Sequence, residues 1–363
     1  MTEVARAFAP DWVSPPGSTV ADLLEERGWT QQALARRSGF TTKHISLLIN
    51  GKAPITEDTA VKLERVLGST MRCWMTREAQ YREALARLGE RKALLGKAAW
   101  LQRLPIKEMV RFGWVRSFEN KGDQVRECLR FFGVASVEAW EKQYRDPLVA
   151  FRASAKLAKE VGSVAAWLRQ GEREADLIAC KSFDKAVCRQ VLSEARQLTN
   201  EGDPAVFIPR LVRACARAGV AVVLVPAPRG CPVSGATRWL SAEKALLMLS
   251  LRHNSNDHFW FSFFHEAGHL LLHGKKLLFV DVANRIDGED EDEADAFAGG
   301  WLISSADAAR LAAVPRTNQG IHTFAKQIGI APGIVVGRMQ KDGLLPWTHL
   351  NGLKIRYRWA HET

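Results

Sequence analysis

Phe263-Phe264-His265-Glu266-Ala267-Gly268-His269-Leu270-Leu271-Leu272-His273 reads H-E-x-x-H inside an apolar run, with no proline until well beyond it. Positions i and i+4 of a helix share one face, so His265 and His269 can offer two imidazole nitrogens to one cation. Neutral imidazoles suit Zn²⁺ at about 2.0–2.1 Å. Glu266, next to the first histidine, is placed to take a proton from a metal-bound water and pass it to a leaving amine. His273, at i+4 from His269, either supports that histidine from behind or closes the helix before Gly274.

A catalytic zinc needs a third protein ligand and an open position. Downstream stands Glu289-Asp290-Glu291-Asp292-Glu293-Ala294-Asp295-Ala296-Phe297-Ala298. Glu291, Ala294, Asp295 and Ala298 fall at i, i+3, i+4 and i+7, which is one helical face headed by a carboxylate. The alanines would let this helix pack closely on the metal helix. Glu291 and Glu293 compete for the third-ligand place, and spacing alone does not separate them. Upstream, Gly219–Val225, Gly235–Leu240 and Ala245–Leu251 read as short strands. Zinc peptidases use the edge of such a sheet to bind an extended substrate by main-chain hydrogen bonds. Ser234, Gly235 and Arg238 are therefore candidates to line a cleft, and Asp257 to cap the metal helix.

The 363 residues suffice for two or three domains, and 47% hydrophobic with 25% charged residues describes a globular chain rather than a disordered one. No apolar run approaches the roughly 18 residues of a membrane span, and the N-terminus shows no secretory signal, so the expected location is cytoplasmic. Six cysteines without a C-x-x-C pair are expected to be reduced and structural. The net charge of +11 is concentrated in the middle: residues 91–240 hold 26 Lys and Arg against 15 Asp and Glu. Such a surface suits a phosphate backbone or an acidic partner.

In the N-terminal region Ser18 or Thr19 can cap a first helix that Gly28 closes. Thr30 can cap Gln31–Arg37, and Thr41 can cap Thr42–Asn50, ended by Gly51. Leu34, Ala35, Phe40, Ile45, Leu48 and Ile49 suit a core shared by two short crossing helices, the helix-turn-helix arrangement. The second helix would then present Thr41, Thr42, Lys43, His44, Ser46 and Asn50 to base edges and phosphates of double-stranded DNA, with Gln31 meeting the backbone.

These motifs carry two resemblances. Gly28-Trp29-Thr30-Gln31-Gln32-Ala33-Leu34-Ala35-Arg36 through Ile45-Ser46-Leu47-Leu48-Ile49-Asn50-Gly51-Lys52 resembles the XRE/Cro-like fold. Pro54–Leu63 with Leu67-Gly68 is similar to HigA-type antitoxins. The H-E-x-x-H followed by E-x-x-A-D-x-F-A resembles the ImmA/IrrE metallopeptidases, in which Glu291 takes the third-ligand place.

The expected fold class is α+β: a helix-turn-helix domain over 1–85, a basic helical connector over 86–203, and a zincin-like domain over 204–363. The resemblances imply an operator-binding regulator, expected as a homodimer with half-sites about 34 Å apart. It would be fused to a zinc-dependent (or manganese-dependent) endopeptidase that cuts a specific regulatory protein, such as a repressor or the chain itself. The alternative is a HigA-like antitoxin or autorepressor that neutralises a toxin and whose metal domain senses or binds.

Overall fold

The structure is a computed structural model that describes residues 13–146, 155–229, 231–274, 278–282 and 288–359. Residues 1–16, with three prolines, read as a loose or strand-like arm, most of which lies outside the described residues, as does Ala153, the start of a helix read over Ala153–Val161. The chain divides into two compact units, residues 1–98 with 119–126, and residues 99–118 with 127–363.

The first unit is helical: α1 (Pro16–Glu26), α2 (Gln31–Ser38), α3 (Thr42–Ile49), α4 (Glu57–Leu67) and α5 (Met71–Leu95). Threonines start four of them. Thr30, Thr41, Thr56 and Thr70 each accept a hydrogen bond from the backbone N–H three residues on, satisfying a donor that a helix start leaves open. α1 departs from expectation, beginning at Pro16 with no side-chain cap rather than at Ser18 or Thr19. Proline suits a first helical position because its missing N–H is not needed there. Gly39 (φ 75°) and Gly51 (φ 66°) supply the left-handed turns that end α2 and follow α3. Val20, Leu34, Ile45, Leu48, Leu63 and Trp74 are buried in one core. Asp123 joins this unit through ion pairs to Arg91 (2.8 Å) and Arg126 (2.9 Å).

The first α-helix of the second unit is α6 (Ile106–Arg111), and α7 (Lys121–Phe132) passes into that unit after Arg126. Then come α8 (Val137–Trp140), α9 (Ala155–Asp176), α10 (Lys185–Leu198) and α11 (Pro204–Arg217). The sequence reads as two helices here, Ala153–Val161 and Val164–Arg169, whereas α9 is continuous from Ala155 to Asp176 and kinked at Glu160. The sheet follows as β1 (Val220–Leu224), β2 (Val233–Trp239) and β3 (Ala245–Leu249). After it come α12 (Asn256–Leu272), β4 (Leu278–Val282), α13 (Glu289–Leu302), α14 (Ser305–Arg310), α15 (Asn318–Ile328) and α16 (Pro332–Lys341).

The strand order is β1-β3-β2-β4, with β1 parallel to β3 and β2 antiparallel to both of its neighbours. Alternation along the strands sorts their side chains to two faces. Val220, Val222, Leu247 and Leu249 share a core with α10, α11 and α12. The opposite face carries Met248, against which Gly171 of α9 packs so closely that a Cβ on it would collide. Trp167 of α9, fully buried, donates from Nε1 to the Val225 carbonyl at 2.9 Å. Residues of the expected connector thus cover one face of the sheet. This is why the compact division differs from the boundaries expected at 85 and 203: α5 runs through the first, and α9 belongs to the sheet across the second.

All six cysteines are free thiols. Burial pushes Cys188 up to about 11 and Cys231 up to about 12, which keeps both as inert thiols at neutral pH.

Candidate metal centre and helix-turn-helix

Helix α12, which carries the H-E-x-x-H run, is held at its start by the C-terminal segment. Asn256 donates its N–H to the Ile355 carbonyl (2.9 Å), and its Oδ1 accepts from the Ile355 N–H (3.1 Å). Asp257 does not cap the helix, since Ser255 holds that position. Asp257 instead pairs with Lys354 at 2.6 Å and accepts from the Ser255 hydroxyl at 2.6 Å. Burial opposes its ionisation, yet these two partners hold the carboxyl below its usual range. Gly333 and Gly337 of α16 lie so close to Asn256 and Asp257 that a Cβ would reach them at 2.6 and 2.5 Å. α16 thus packs against the start of α12.

Further along α12, His265 and Glu266 are fully buried and His269 is 1% exposed. The two Nε2 atoms stand 3.0 Å apart. Glu291 of α13 closes the group, with Oε2 at 3.2 Å from His265 Nε2 and Oε1 at 3.6 Å from His269 Nε2. α13 comes this close because Gly268 faces the Ala294 backbone, where a Cβ would meet Cα at 3.3 Å, and Ala294 and Ala298 are fully buried. Glu293, the other acid in the sequence, faces His273 Nε2 at 3.1 Å.

These donors fit a metal ion on their chemistry. His265 Nδ1 lies 2.9 Å from Asp295 Oδ1. An ionised carboxylate only accepts, so Nδ1 carries the hydrogen and Nε2 presents its lone pair. Burial holds His269 below the usual histidine range, against the opposing pull of Glu291, so its ring is neutral at pH 7. Two imidazole nitrogens and a carboxylate thus converge with electron-rich atoms 3.0–3.6 Å apart. Donors bound to a tetrahedral zinc stand about 3.4 Å from one another.

Asp295 was visible in the sequence only as part of a helical face. It lies one turn beyond Glu291, which is the signal that could have found it. Its other oxygen is 3.4 Å from Lys341 Nζ. Such carboxylates orient a ligating histidine, and Asp295→Ala is expected to weaken zinc binding about 10–100-fold in a chelator competition.

Glu266 points to β2 on the sheet side of α12. Its Oε2 accepts a hydrogen bond from the Thr237 hydroxyl. A Cβ on Gly235 would stand 2.5 Å from Oε1, so glycine leaves the room this carboxylate occupies. Gly235 is therefore beside the site, and Thr237 was missed although it lies two residues on along the same strand face.

Two of the expected cleft residues are elsewhere. Arg238 is on the opposite face, ion-paired with Glu172 of α9. Ser234 sits where the β2 register shifts, with its carbonyl taken by the Ser250 N–H at 2.9 Å. β2 is also paired on both sides, so its main chain is not open to an extended peptide; the sheet ends at β4 and β1. A cavity of about 580 Å³ adjoins the centre beyond Asp295, walled by Phe261, Gly300 and Lys341.

In the first unit the expected DNA-reading positions occupy one region of α2 and α3. Gln31, Thr41, Thr42, Lys43 and Asn50 are exposed and Ser46 is half-buried. The Thr41 hydroxyl is engaged with the His44 N–H (3.1 Å), and the Asn50 amide donates to the Ser46 carbonyl (2.7 Å). The His44 ring packs on Phe40 at 4.7 Å and its Nε2 is buried, while the residue as a whole is half-buried, as Ser46 is.

A family model described as helix-turn-helix matches residues 20–72. A second, described as the IrrE N-terminal-like domain of the M78 peptidases, matches residues 235–339. No curated protein matches the chain. The chain thus joins an XRE-type helix-turn-helix region to an IrrE/ImmA-like domain. The second span contains most of β2, the H-E-x-x-H positions and Glu291. Among the described residues no helix is long and apolar enough to cross a membrane.

Proposed function

We propose that the chain is an operator-binding regulator whose second unit is a zinc-dependent endopeptidase acting on a specific regulatory protein. The observation that carries this reading is the convergence of His265, His269 and Glu291 around one point, with the buried Glu266 carboxylate beside it. A site that only bound or sensed metal would have no need of that carboxylate.

His265, His269 and Glu291 would hold the ion, for which Mn²⁺ is the alternative to Zn²⁺. When bound, the ion supplies Lewis acidity to a water and to a peptide carbonyl. Glu266 accepts the proton of the attacking water and delivers it to the departing amide nitrogen. Thr237 donates to one carboxylate oxygen and so fixes the orientation of the group that makes this transfer. Asp295 keeps the His265 hydrogen on Nδ1. Burial excludes bulk water, so the proton passes between reacting groups rather than to solvent.

The test is to compare new protein N-termini in cells carrying the wild type or Glu266→Gln. A terminus found only with the wild type identifies the substrate, which includes this chain itself if it cleaves its own repressor unit. No difference under several stresses would sink the peptidase reading and favour an antitoxin or autorepressor with a metal-sensing domain.

For the helix-turn-helix unit, we propose that Lys43 contacts a phosphate and Ser46 a base edge, in a homodimer. Lys43→Ala with Ser46→Ala is expected to weaken operator binding about tenfold or more and to reduce the salt slope by about one. Fluorescence anisotropy at several salt concentrations checks this, and zinc content should not change. Unaltered affinity would displace α3 from the groove.

A further inference from the structure

His273 stands at the end of α12, where its N–H closes the last helical turn on the His269 carbonyl at 3.2 Å. Gly274 follows with φ 69°. A histidine at a helix end is ordinarily explained by that position alone. The side chain, however, is 3% exposed, and both ring nitrogens are engaged. Nδ1 lies 2.9 Å from His269 Nδ1, and Nε2 lies 3.1 Å from Glu293 Oε2. Asp290 is a more distant second carboxylate, 3.8 Å from Nε2.

The proton positions follow from what each atom can do. The Glu293 carboxylate only accepts, so His273 Nε2 is the donor to it. A neutral ring then has a bare Nδ1, which accepts a hydrogen bond. The only hydrogen between the two Nδ1 atoms is therefore the one on His269, and its Nε2 is left with a lone pair directed at His265 and Glu291. We propose that His273 is a positioning residue for the metal centre, with Glu293 behind it. It sets the tautomer and ring orientation of His269 as Asp295 does for His265.

The two histidines are thus oriented by different devices: one carboxylate acting directly, and one acting through an intervening imidazole. This also gives Glu293 a place, since it serves the same centre from the far side of His269 without competing for the ion. The inference rests on the metal reading above.

The test uses the full-length chain carrying Glu266→Gln, which prevents self-cleavage, and measures Zn²⁺ affinity against a chromogenic chelator. His273→Leu keeps bulk but removes the acceptor, and a 10–100-fold loss of affinity is expected. His273→Asn places an amide oxygen where Nδ1 stood, so most of the affinity should return. Glu293→Ala, at an exposed carboxylate, should cost several-fold in the parent chain and nothing further in His273→Leu, because it acts only through the imidazole.

Unchanged affinity in His273→Leu overturns the proposal. So does an equal loss in the Leu and Asn variants, which would mark a packing role. Should His273→Leu fail to fold, the Asn and Glu293→Ala arms decide: no loss in Glu293→Ala, or full loss in His273→Asn, refutes the relay. A parent chain that binds no zinc would overturn the metal reading itself, whereas a zinc-binding parent with indifferent variants would overturn only this inference.

Discussion

Glu266→Gln is expected to slow hydrolysis of the substrate by about 10²–10⁴-fold, the span that a positioned general base contributes, with zinc content unchanged. Glutamine has the same shape, and its amide oxygen can still accept the Thr237 hydrogen bond. Gly235 leaves space for it as for the carboxylate. What it cannot do is take and release a proton. Because residue 266 is fully buried, solvent does not readily supply a substitute. The measurement is the single-turnover cleavage rate of the identified substrate, with metal content determined on the same preparation. A rate within about threefold of wild type would remove Glu266 from the chemistry, and a loss of zinc would recast it as a structural residue.

The second large effect concerns the acids of α13. Glu291→Ala removes one of three converging donors, leaving two histidines. Zinc at a hundredfold excess over its dissociation constant adds about 2.7 kcal/mol to folding. In a unit of this size that is about 5–10 °C in melting temperature. Glu291→Ala should lose nearly all of this zinc-dependent rise, whereas Glu293→Ala should lose only a small part. Thermal scans of both variants, with zinc and with chelator, separate the two residues. Equal losses would mean that the two carboxylates share the ion. A larger loss in Glu293→Ala would reverse their roles.

Much of this molecule is local and therefore legible along the chain. The threonine caps, the left-handed glycines and the i, i+4 histidines depend on neighbours three or four residues away. Thr30, Thr41 and Gly51 accordingly fall where a sequence argument puts them. The acidic helix carrying Glu291 is equally plain, as are the small residues that bring it against α12.

What the chain did not reveal is non-local. β2 reads as a strand from its own residues, but whether it is an edge depends on β4, which pairs with it from the other side of α12 in the chain. Arg238 has the composition of a cleft residue, yet the strand alternation fixed by pairing with β3 sends it toward Glu172. His44 lies on a helix of the right kind, and only the fold shows its ring packed on Phe40.

By itself the sequence determined the chemistry available: two histidines one turn apart, a base beside the first, a carboxylate helix downstream, and a helix-turn-helix at the other end. Only the tertiary structure decided how those groups are used. It turned Glu291 toward the two Nε2 atoms and Glu293 toward His273, set Asp295 behind His265, and brought Thr237 to Glu266. The physical reason is that a helical or strand period specifies which face a side chain occupies. Which partner meets that face is settled by contacts between residues far apart in the chain.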